Sequence, residues 1–275
     1  MFFSALICLL SSICETATSQ PKLVKLWQTD SVLKVPESVL FDPAGRVLYE
    51  SNIGGTDPWA KDGNGSIGKV GLNGKIINVD WVTGLDAPKG MGIFKNNLYA
   101  ADIDQVRVID ISKAAIVQSI PVEGATGLND ITVDRNGVVY VSDSRMKKVH
   151  KIENGKATVL LENLQSPNGL FIKGDVLYVL DNGGMYRVEK NKSLTKIADG
   201  MDGGTDGIEN VTGNDFLVSC WAGSIWYVHA DGTKDHLLDT RDQKMNSADI
   251  GYDVMSKIVY VPTFWRNSII AYELK

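Results

Sequence analysis

Short apolar stretches alternate with polar residues and turns along the whole chain, and the same arrangement returns six times. The repeats begin at Glu37, Lys89, Asn129, Asn168, Asp206 and Ala248, which we call the anchors. Successive anchors lie 38 to 52 residues apart. In the third repeat, apolar residues alternate over 131–133, an Asn-Gly turn follows, and a second run covers 139–141. This pattern predicts a β-hairpin, and a repeat of about 40 to 50 residues indicates the blades of a β-propeller.

Outer strands are expected after each hairpin, so that a repeat contributes about four strands. In the third repeat, residues 148–152 and 157–161 show the alternation of such strands. The sixth repeat is shorter, because only residues 269–274 remain after its hairpin, and residues 23–27 are predicted to supply the missing outer strand. The sequence therefore predicts an all-β, six-bladed propeller of four-stranded blades. We expect one domain over residues 20–275, closed by its N- and C-terminal strands.

The beginning of the chain has the character of a secretory leader. Residues 2–13 are apolar but too few to span a bilayer, and small residues suited to cleavage follow at 17–19. No Lys or Arg precedes the apolar run, which is atypical of leaders. Cys14 raises the alternative of a lipoprotein, which the bulky Ile13 before it disfavours. We predict a signal peptide over residues 1–19 and a secreted or periplasmic protein.

Charge and composition narrow the range of partners. The formal net charge is −5, and loss of residues 1–19 would remove Glu15 and no base, which leaves −4. This mild acidity argues against nucleic acid as a partner. No later stretch approaches about 18 apolar residues, so no membrane association is expected once the leader is removed. Cys220 would then be the one cysteine left, and we expect a monomer without a disulfide that binds a small-molecule substrate.

Four of the six anchors carry side-chain oxygen atoms. They are the carboxylates Glu37 and Asp206 and the amides Asn129 and Asn168. Oxygen ligands of this kind suit a hard divalent cation, with water or substrate in the remaining positions. Calcium is the first choice, ahead of magnesium, manganese or zinc, because it accepts flexible coordination by oxygen alone. The alternative is that polar anchors only cap the starts of strands and bind water in the central tunnel.

A pocket is expected where the anchors meet the ends of the second strands, since these strands run antiparallel to the first. The predicted substrate-binding residues at these second-strand ends are Asn52, Asp102, Asp181, Trp221 and Trp265. The two tryptophans have packing between sheets as their alternative role. Residues 54–65, rich in Gly and Asp and containing Trp59, would form either a flap over the pocket or a solvated loop.

Three segments carry a more specific resemblance. Residues 128–134, 166–170 and 205–207, together with the anchor order Glu, Asn, Asn, Asp, resemble the senescence-marker-protein/gluconolactonase family of regucalcin and its relatives. The resemblance covers essentially the whole chain after residue 19. It implies a six-bladed propeller with one catalytic divalent metal in the tunnel that hydrolyses lactones or related esters. It also implies that Glu37, Asn129, Asn168 and Asp206 are the ligands, with Asp206 as base.

The chain departs from that family at the third repeat and adds charges of its own. Gly127 stands where family members that take sugar acids often have Arg, which puts an aldonic lactone in doubt. Lys89 would either bind a substrate carboxylate or pair with Glu37. Asp130 and Asp249 follow their anchors directly, and could orient ligands from behind, with Asp130 as a further catalytic candidate. Their alternative role is to accept hydrogen bonds at strand starts.

Other motifs and functions have less support. Residues 63–68 match G-x-G-x-x-G but lack the strand before and the helix after that dinucleotide binding needs. The three histidines form no H-E-x-x-H motif, and no nucleophile elbow is present. The main rival to a hydrolase is a noncatalytic propeller that binds a protein or glycan and retains calcium for rigidity. A third possibility resembles strictosidine synthase, which works without metal, and the four oxygen anchors argue against it.

Overall fold

The computed structural model describes residues 20–275, and the predicted signal peptide lies outside them. Six four-stranded antiparallel sheets form the blades of a β-propeller, which confirms the predicted fold class. Two short 3-10 turns, Arg241–Gln243 and Phe264–Arg266, are the helical segments in this range. None of the helices in residues 20–275 has the length and apolar character needed to cross a membrane.

The first three blades follow the chain, each from its innermost to its outermost strand. Blade 1 consists of β2 (Pro36–Asp42), β3 (Val47–Asn52), β4 (Gly65–Gly71) and β5 (Ile76–Leu85). Blade 2 consists of β6 (Pro88–Phe94), β7 (Asn97–Asp102), β8 (Gln105–Asp110) and β9 (Ala115–Pro121). Blade 3 consists of β10 (Leu128–Val133), β11 (Val139–Asp143), β12 (Lys148–Glu153) and β13 (Lys156–Leu161).

The remaining blades continue in the same order, and the sixth includes the N-terminal strand. Blade 4 consists of β14 (Pro167–Lys173), β15 (Val176–Asp181), β16 (Gly184–Val188) and β17 (Leu194–Ala198). Blade 5 consists of β18 (Thr205–Thr212), β19 (Asp215–Cys220), β20 (Ser224–Val228) and β21 (Lys234–Asp239). Blade 6 consists of β22 (Gly251–Asp253), β23 (Ile258–Pro262), β24 (Ile269–Leu274) and, outermost, β1 (Leu23–Gln28).

The ring closes as predicted, through pairing of the N-terminal strand with the last strand. Leu23 lies opposite Leu274 and Gln28 opposite Ile270 in an antiparallel ladder. A second link joins the innermost strands of blades 6 and 1, where Asp249 N donates to Glu37 O at 2.9 Å. Closure in this way removes the unpaired edge that blade 6 would otherwise expose.

The hydrophobic core lies between neighbouring blades. One cluster joins blades 2 and 3 through residues such as Val106 and Val141, and another joins blades 4 and 5 through Leu180 and Phe216. The turns that connect strands use residues suited to them. Gly137 of the predicted Asn-Gly turn has φ 85° and donates its N–H to Asp134 O at 3.0 Å.

The innermost strands share an irregularity that positions the anchors. In blades 1 to 5 the ladder between first and second strands slips near its start, and each slip encloses one anchor. The slips fall between Pro36 and Ser38, Pro88 and Met91, Leu128 and Ile131, Pro167 and Leu170, and Thr205 and Ile208. A β-bulge takes a residue out of the regular pairing and redirects its side chain. This local break allows five successive anchors to occupy the tunnel mouth.

Candidate active site

The anchors of blades 1 to 5 line one cavity at the mouth of the central tunnel, which we call the anchor cavity. Its volume is about 380 Å³, within the range of small-molecule sites. The anchors in its lining are Glu37, Lys89, Asn129, Asn168 and Asp206, and the other lining side chains include Trp59, Ser144, Trp221, Phe264 and Trp265. The four predicted oxygen ligands therefore lie at one place, and Trp221 and Trp265 lie in the wall where the sequence predicted them.

The two amides of the anchor cavity are both held by their nitrogen atoms. Asn129 Nδ2 donates to Ser144 Oγ at 3.0 Å, and Asn168 Nδ2 donates to Asp206 Oδ1 at 2.8 Å. Asn168 Oδ1 is buried and has no hydrogen-bond partner among the described residues. Both amides thus keep their oxygen atoms available, which is the orientation that a cation requires. Sequence reasoning missed Ser144, whose position directly after a second strand was the available signal.

The two carboxyl groups of the cavity are almost fully buried. Glu37 is 5% exposed and Asp206 is 2% exposed, and Glu37 Oε2 has no hydrogen-bond partner among residues 20–275. Burial raises the pKa of Glu37 to about 8, against the attraction of Lys89 and with the repulsion of Asp249. Burial also raises the pKa of Asp206 well above its ordinary value, and repulsion by Glu37 adds to this. These acids favour a compensating cation, bound metal or bound protons.

Lys89 is a buried cation beside these acids, with 2% of its surface exposed. Its Nζ donates to Pro58 O at 2.7 Å and lies 4.4 Å from the centre of the Trp59 ring. Burial lowers the pKa of Lys89, while attraction from Glu37 and then Asp206 opposes that shift. Among the described residues, none of the ion pairs shorter than 4.0 Å joins Lys89 to Glu37. A direct ion pair, one of the two roles expected for Lys89, is therefore not formed.

The loop of residues 54–65 lies against the anchor cavity, as expected if it forms a flap rather than a solvated loop. Pro58 and Trp59 are in the cavity lining, and Trp59 also packs against a cluster that includes Ile53 and Phe264. The Arg145 guanidinium carbon lies 5.8 Å from the centre of the Trp59 ring. The loop thus carries an indole into the wall beside the Lys89 ammonium.

Three predicted substrate-binding residues lie outside the cavity lining, because their side chains bond to loop backbone. Asn52 Oδ1 accepts from Lys34 N at 2.9 Å, and Asp102 Oδ1 accepts from Ala87 N at 3.0 Å. Asp181 Oδ2 accepts from Gln165 N at 3.0 Å. In each blade the bonded loop residue precedes the next anchor by two or three positions. These side chains secure the loops that lead into the anchors, and the expectation that they form the pocket wall is corrected.

Asp130 and Asp249 face a different cavity, of about 540 Å³, lined by the middle of the innermost strands. Asp130 Oδ2 accepts from Leu170 N at 2.6 Å, and Asp249 Oδ2 accepts from Ser38 Oγ at 2.5 Å. Burial raises the pKa of Asp130 well above its ordinary value, and Asp249 adds to this. Asp130 is therefore absent from the lining where it was expected to act, and it bridges the innermost strands of blades 3 and 4.

Other nucleophiles and metal ligands do not gather at the anchors. Cys220 is fully buried, and burial raises the pKa of its thiol to about 12. His150, His229 and His236 lie on or beside outer strands. Across residues 20–275, no three His, Cys, Asp or Glu side chains converge closely enough to hold a metal ion. An ion at the anchors would therefore depend on the amide oxygens of Asn129 and Asn168.

Comparison with known proteins places the chain among propellers of diverse activity. No protein-family model and no curated protein matches the sequence. A gluconolactonase from Xanthomonas campestris aligns over 94% of this chain and 91% of its own, with 14% identity and a TM-score of 0.67. A virginiamycin B lyase from Staphylococcus aureus aligns over 93% and 99%, with 13% identity and a TM-score of 0.64. A chain of a nidogen/laminin complex aligns over 79% and 84%, with 18% identity and a TM-score of 0.63. At these identities the likeness establishes the fold.

Proposed function

We propose that the protein is a metal-dependent hydrolase of lactones or related esters, with its reaction centre in the anchor cavity. The observation that carries this proposal is the orientation of the anchors. Both amides are fixed through nitrogen, while Asn168 Oδ1 and Glu37 Oε2 are buried without a hydrogen-bond partner among the described residues. Buried oxygen atoms without partners cost free energy unless a ligand satisfies them.

The donor set fits a divalent cation, with calcium as first choice and magnesium, manganese or zinc as alternatives. Glu37, Asn129, Asn168 and Asp206 would hold it through oxygen. Around the tunnel, Asp130 and Asp249 add two more buried carboxyl groups with raised pKa values, against the single ammonium of Lys89. A bound divalent cation would favour the ionised form of the acids nearest to it. Bound there, it would act as a Lewis acid toward an ester carbonyl.

The protein's own groups would supply the proton transfer. Asp206 is the candidate base, because its carboxyl group lines the anchor cavity where an attacking water would lie, and burial raises its pKa and so strengthens its affinity for a proton. Asn168 Nδ2 holds Asp206 Oδ1 at 2.8 Å, which fixes the direction of the carboxylate. Lys89, held by Pro58 O, places a positive charge at the same mouth and would attract electron-rich substrate oxygens.

Calorimetry on metal-stripped protein tests the ion. We expect one divalent cation to bind, with Glu37→Gln weakening the affinity at least about tenfold because a charged oxygen ligand is lost. Glu162 is exposed, so Glu162→Gln serves as the matched control and should bind as the native protein does. Failure of calcium, magnesium, manganese and zinc to bind at millimolar concentration would show that the anchors are not a metal site.

A panel of lactones and aryl esters, assayed with each metal restored, tests the reaction. Asp206→Asn preserves the size of the side chain and one oxygen, so the variant should fold and bind metal while turnover falls by at least about a hundredfold. Cys220→Ser and His229→Gln should retain activity, because neither residue lines the anchor cavity. Metal binding without hydrolysis of any compound would favour a noncatalytic binding propeller instead.

A further inference from the structure

Exposed aromatic side chains are confined to one place on the described surface. Among the Trp, Tyr and Phe residues of 20–275, Trp221 and Trp265 alone are exposed, at 41% and 43%. Both line the anchor cavity. A large apolar side chain left in water is informative where several gather around one opening. Their coincidence at the mouth indicates a surface for a ligand.

The Phe264 ring packs against both exposed indoles. Phe264 is 3% exposed, and its ring makes edge-on contacts with Trp221 at 5.5 Å and with Trp265 at 4.8 Å between centroids. Phe264 has φ 49°, in the left-handed region that a bulky residue rarely adopts. Strain of this kind persists where the surroundings enforce it, and it is frequent at ligand sites.

Hydrogen bonds hold the backbone on both sides of this aromatic group. Asn246 Nδ2 donates to Trp221 O at 2.8 Å, and Asn267 Oδ1 accepts from Val35 N at 3.0 Å. Arg266 Nη2 donates to Gln243 O at 2.9 Å. The indoles therefore need little ordering when a ligand arrives, which favours binding.

The wall above the anchors offers little to a polyhydroxylated ligand. Ser144 Oγ already donates to Pro167 O at 2.6 Å and accepts from Asn129. Thr205 Oγ1 accepts from Gly183 N at 3.4 Å. Pro58, Ser166 and Gly204 also contribute to the lining, and its aromatic part is formed by the rings of Trp59, Phe264 and the two exposed indoles. A flat apolar ring would bury area and stack against these rings, whereas the hydroxyl groups of a sugar would gain few hydrogen bonds from them.

We propose that the anchor cavity selects esters or lactones whose body is a flat, apolar ring, stacked against Trp221 and Trp265 with the ester group at the anchors. This specificity rests on the proposed hydrolase function. The volume of about 380 Å³ has room for a fused ring pair. Trp221 and Trp265 are the specificity-determining residues, because they would contact the ring of the substrate, whereas the anchors would contact its ester group.

Three δ-lactones of one ring size test this specificity with calcium-loaded protein. δ-Valerolactone has the bare ring, dihydrocoumarin adds a fused benzene ring, and glucono-δ-lactone adds hydroxyl groups. We expect dihydrocoumarin to have a KM roughly tenfold or more below that of the other two, because stacking is available to it alone. A lower KM for glucono-δ-lactone than for dihydrocoumarin would overturn the proposal.

Variants of the two indoles give the decisive comparison. Trp221→Ala and Trp265→Ala should each raise the KM for dihydrocoumarin roughly five- to tenfold, a larger change than in kcat and a larger change than in the KM for δ-valerolactone. Trp265→Phe should restore most of the loss. Trp81→Phe, which changes an indole on β5 outside the anchor cavity, is the control. Equal KM values in the alanine variants and the native protein would overturn the proposal.

Direct binding separates this inference from the proposed function. If no lactone is hydrolysed, the hydrolase function fails, and calorimetric titration with dihydrocoumarin still measures stacking. Binding that Trp221→Ala and Trp265→Ala weaken would support the aromatic site without catalysis. Absence of binding, or binding that both variants leave unchanged, would overturn it.

Discussion

Glu50 is a buried carboxyl group in blade 1, away from the anchors. It is fully buried, its Oε1 accepts from Asn52 Nδ2 at 3.1 Å, and its Oε2 has no hydrogen-bond partner in the described part of the chain. Burial raises the pKa of Glu50 well above its ordinary value, against the hydrogen bond from Asn52, and Asp80 adds to the rise. The folded protein therefore keeps this proton at pH values where the unfolded chain has released it.

The raised pKa of Glu50 determines the direction in which the free energy of unfolding changes with pH. Because the folded state binds the proton more tightly, the stability associated with Glu50 is greatest below pH 4.5 and declines as pH rises toward the raised pKa. Glu50→Gln removes this decline, so its advantage over the native protein in urea unfolding should be larger at pH 8 than at pH 5. The exposed Glu162→Gln variant should show no such difference. A constant offset between native protein and Glu50→Gln across that range would contradict the assignment.

The anchors were predictable residue by residue, whereas the directions of their neighbours were not. Glu37, Asn129, Asn168 and Asp206 stand at one register of the repeat, and a repeat fixes position even when sequence differs. Asp102 stands at an equally regular position. Its side chain turns to the loop because two N–H groups there need an acceptor, and that need becomes visible only once the loop backbone is placed.

At the scale of elements, the side chain of Asp102 stabilises the loop between blades 1 and 2. Its carboxylate accepts from Asp86 N, from Ala87 N and from Arg107 Nε, the last at 2.8 Å. Asp102→Ala would leave these donors unpaired, and we expect a loss of about 2–4 kcal/mol in the free energy of unfolding. Asp104 makes an exposed ion pair with Lys61, so Asp104→Ala should cost less than about 1 kcal/mol.

The metal affinity of the Asp102→Ala protein distinguishes two roles for Asp102, support of the loop and lining of the pocket. Well below its melting temperature, the Asp102→Ala protein should bind calcium within about threefold of the native value, since Asp102 is outside the anchor cavity. Denaturant unfolding and calorimetry on the same preparation measure both quantities. An unchanged unfolding midpoint, or a large loss of affinity in fully folded protein, would contradict the supporting role of this side chain.

The hairpins were predictable at this scale because alternation and turn residues are local signals, as in the Asp134–Gly137 turn of blade 3. The bulges around the anchors were not. A bulge depends on how two strands share their hydrogen bonds, and the sequence from Leu128 to Ile131 is compatible with a regular ladder as well as with a bulge. The sequence also left the role of the 54–65 loop undecided, because Trp59 packs against residues of other blades that are distant along the chain.

At the scale of the whole molecule, ring closure depends on the N-terminal strand. Besides the ladder of β1 with β24, the ring of Trp27 packs against that of Tyr260, with 5.9 Å between their centroids. Thr29 Oγ1 also accepts a hydrogen bond from Ile269 N at 3.0 Å. A half-blade left over at the end of the sequence was enough to predict the closure, because an unpaired edge is unfavourable in any ring.

Removal of residues 20–28 should therefore destabilise the whole ring. We expect a lower melting temperature in a single cooperative transition, because blade 6 contacts blade 1 through the pairing of Asp249 with Glu37 as well as through β1. Loosening that contact should also reduce calcium binding, because Glu37, one of the four proposed ligands, lies on the innermost strand of blade 1. A peptide of residues 20–31 added in trans should restore part of the melting temperature by occupying the free edge of β24. The same peptide with Trp27→Ala should restore less, since it lacks the indole that packs on Tyr260. Equal melting temperatures for the truncated and full proteins would show that β1 is dispensable, and equal rescue by the two peptides would show that backbone pairing alone closes the ring.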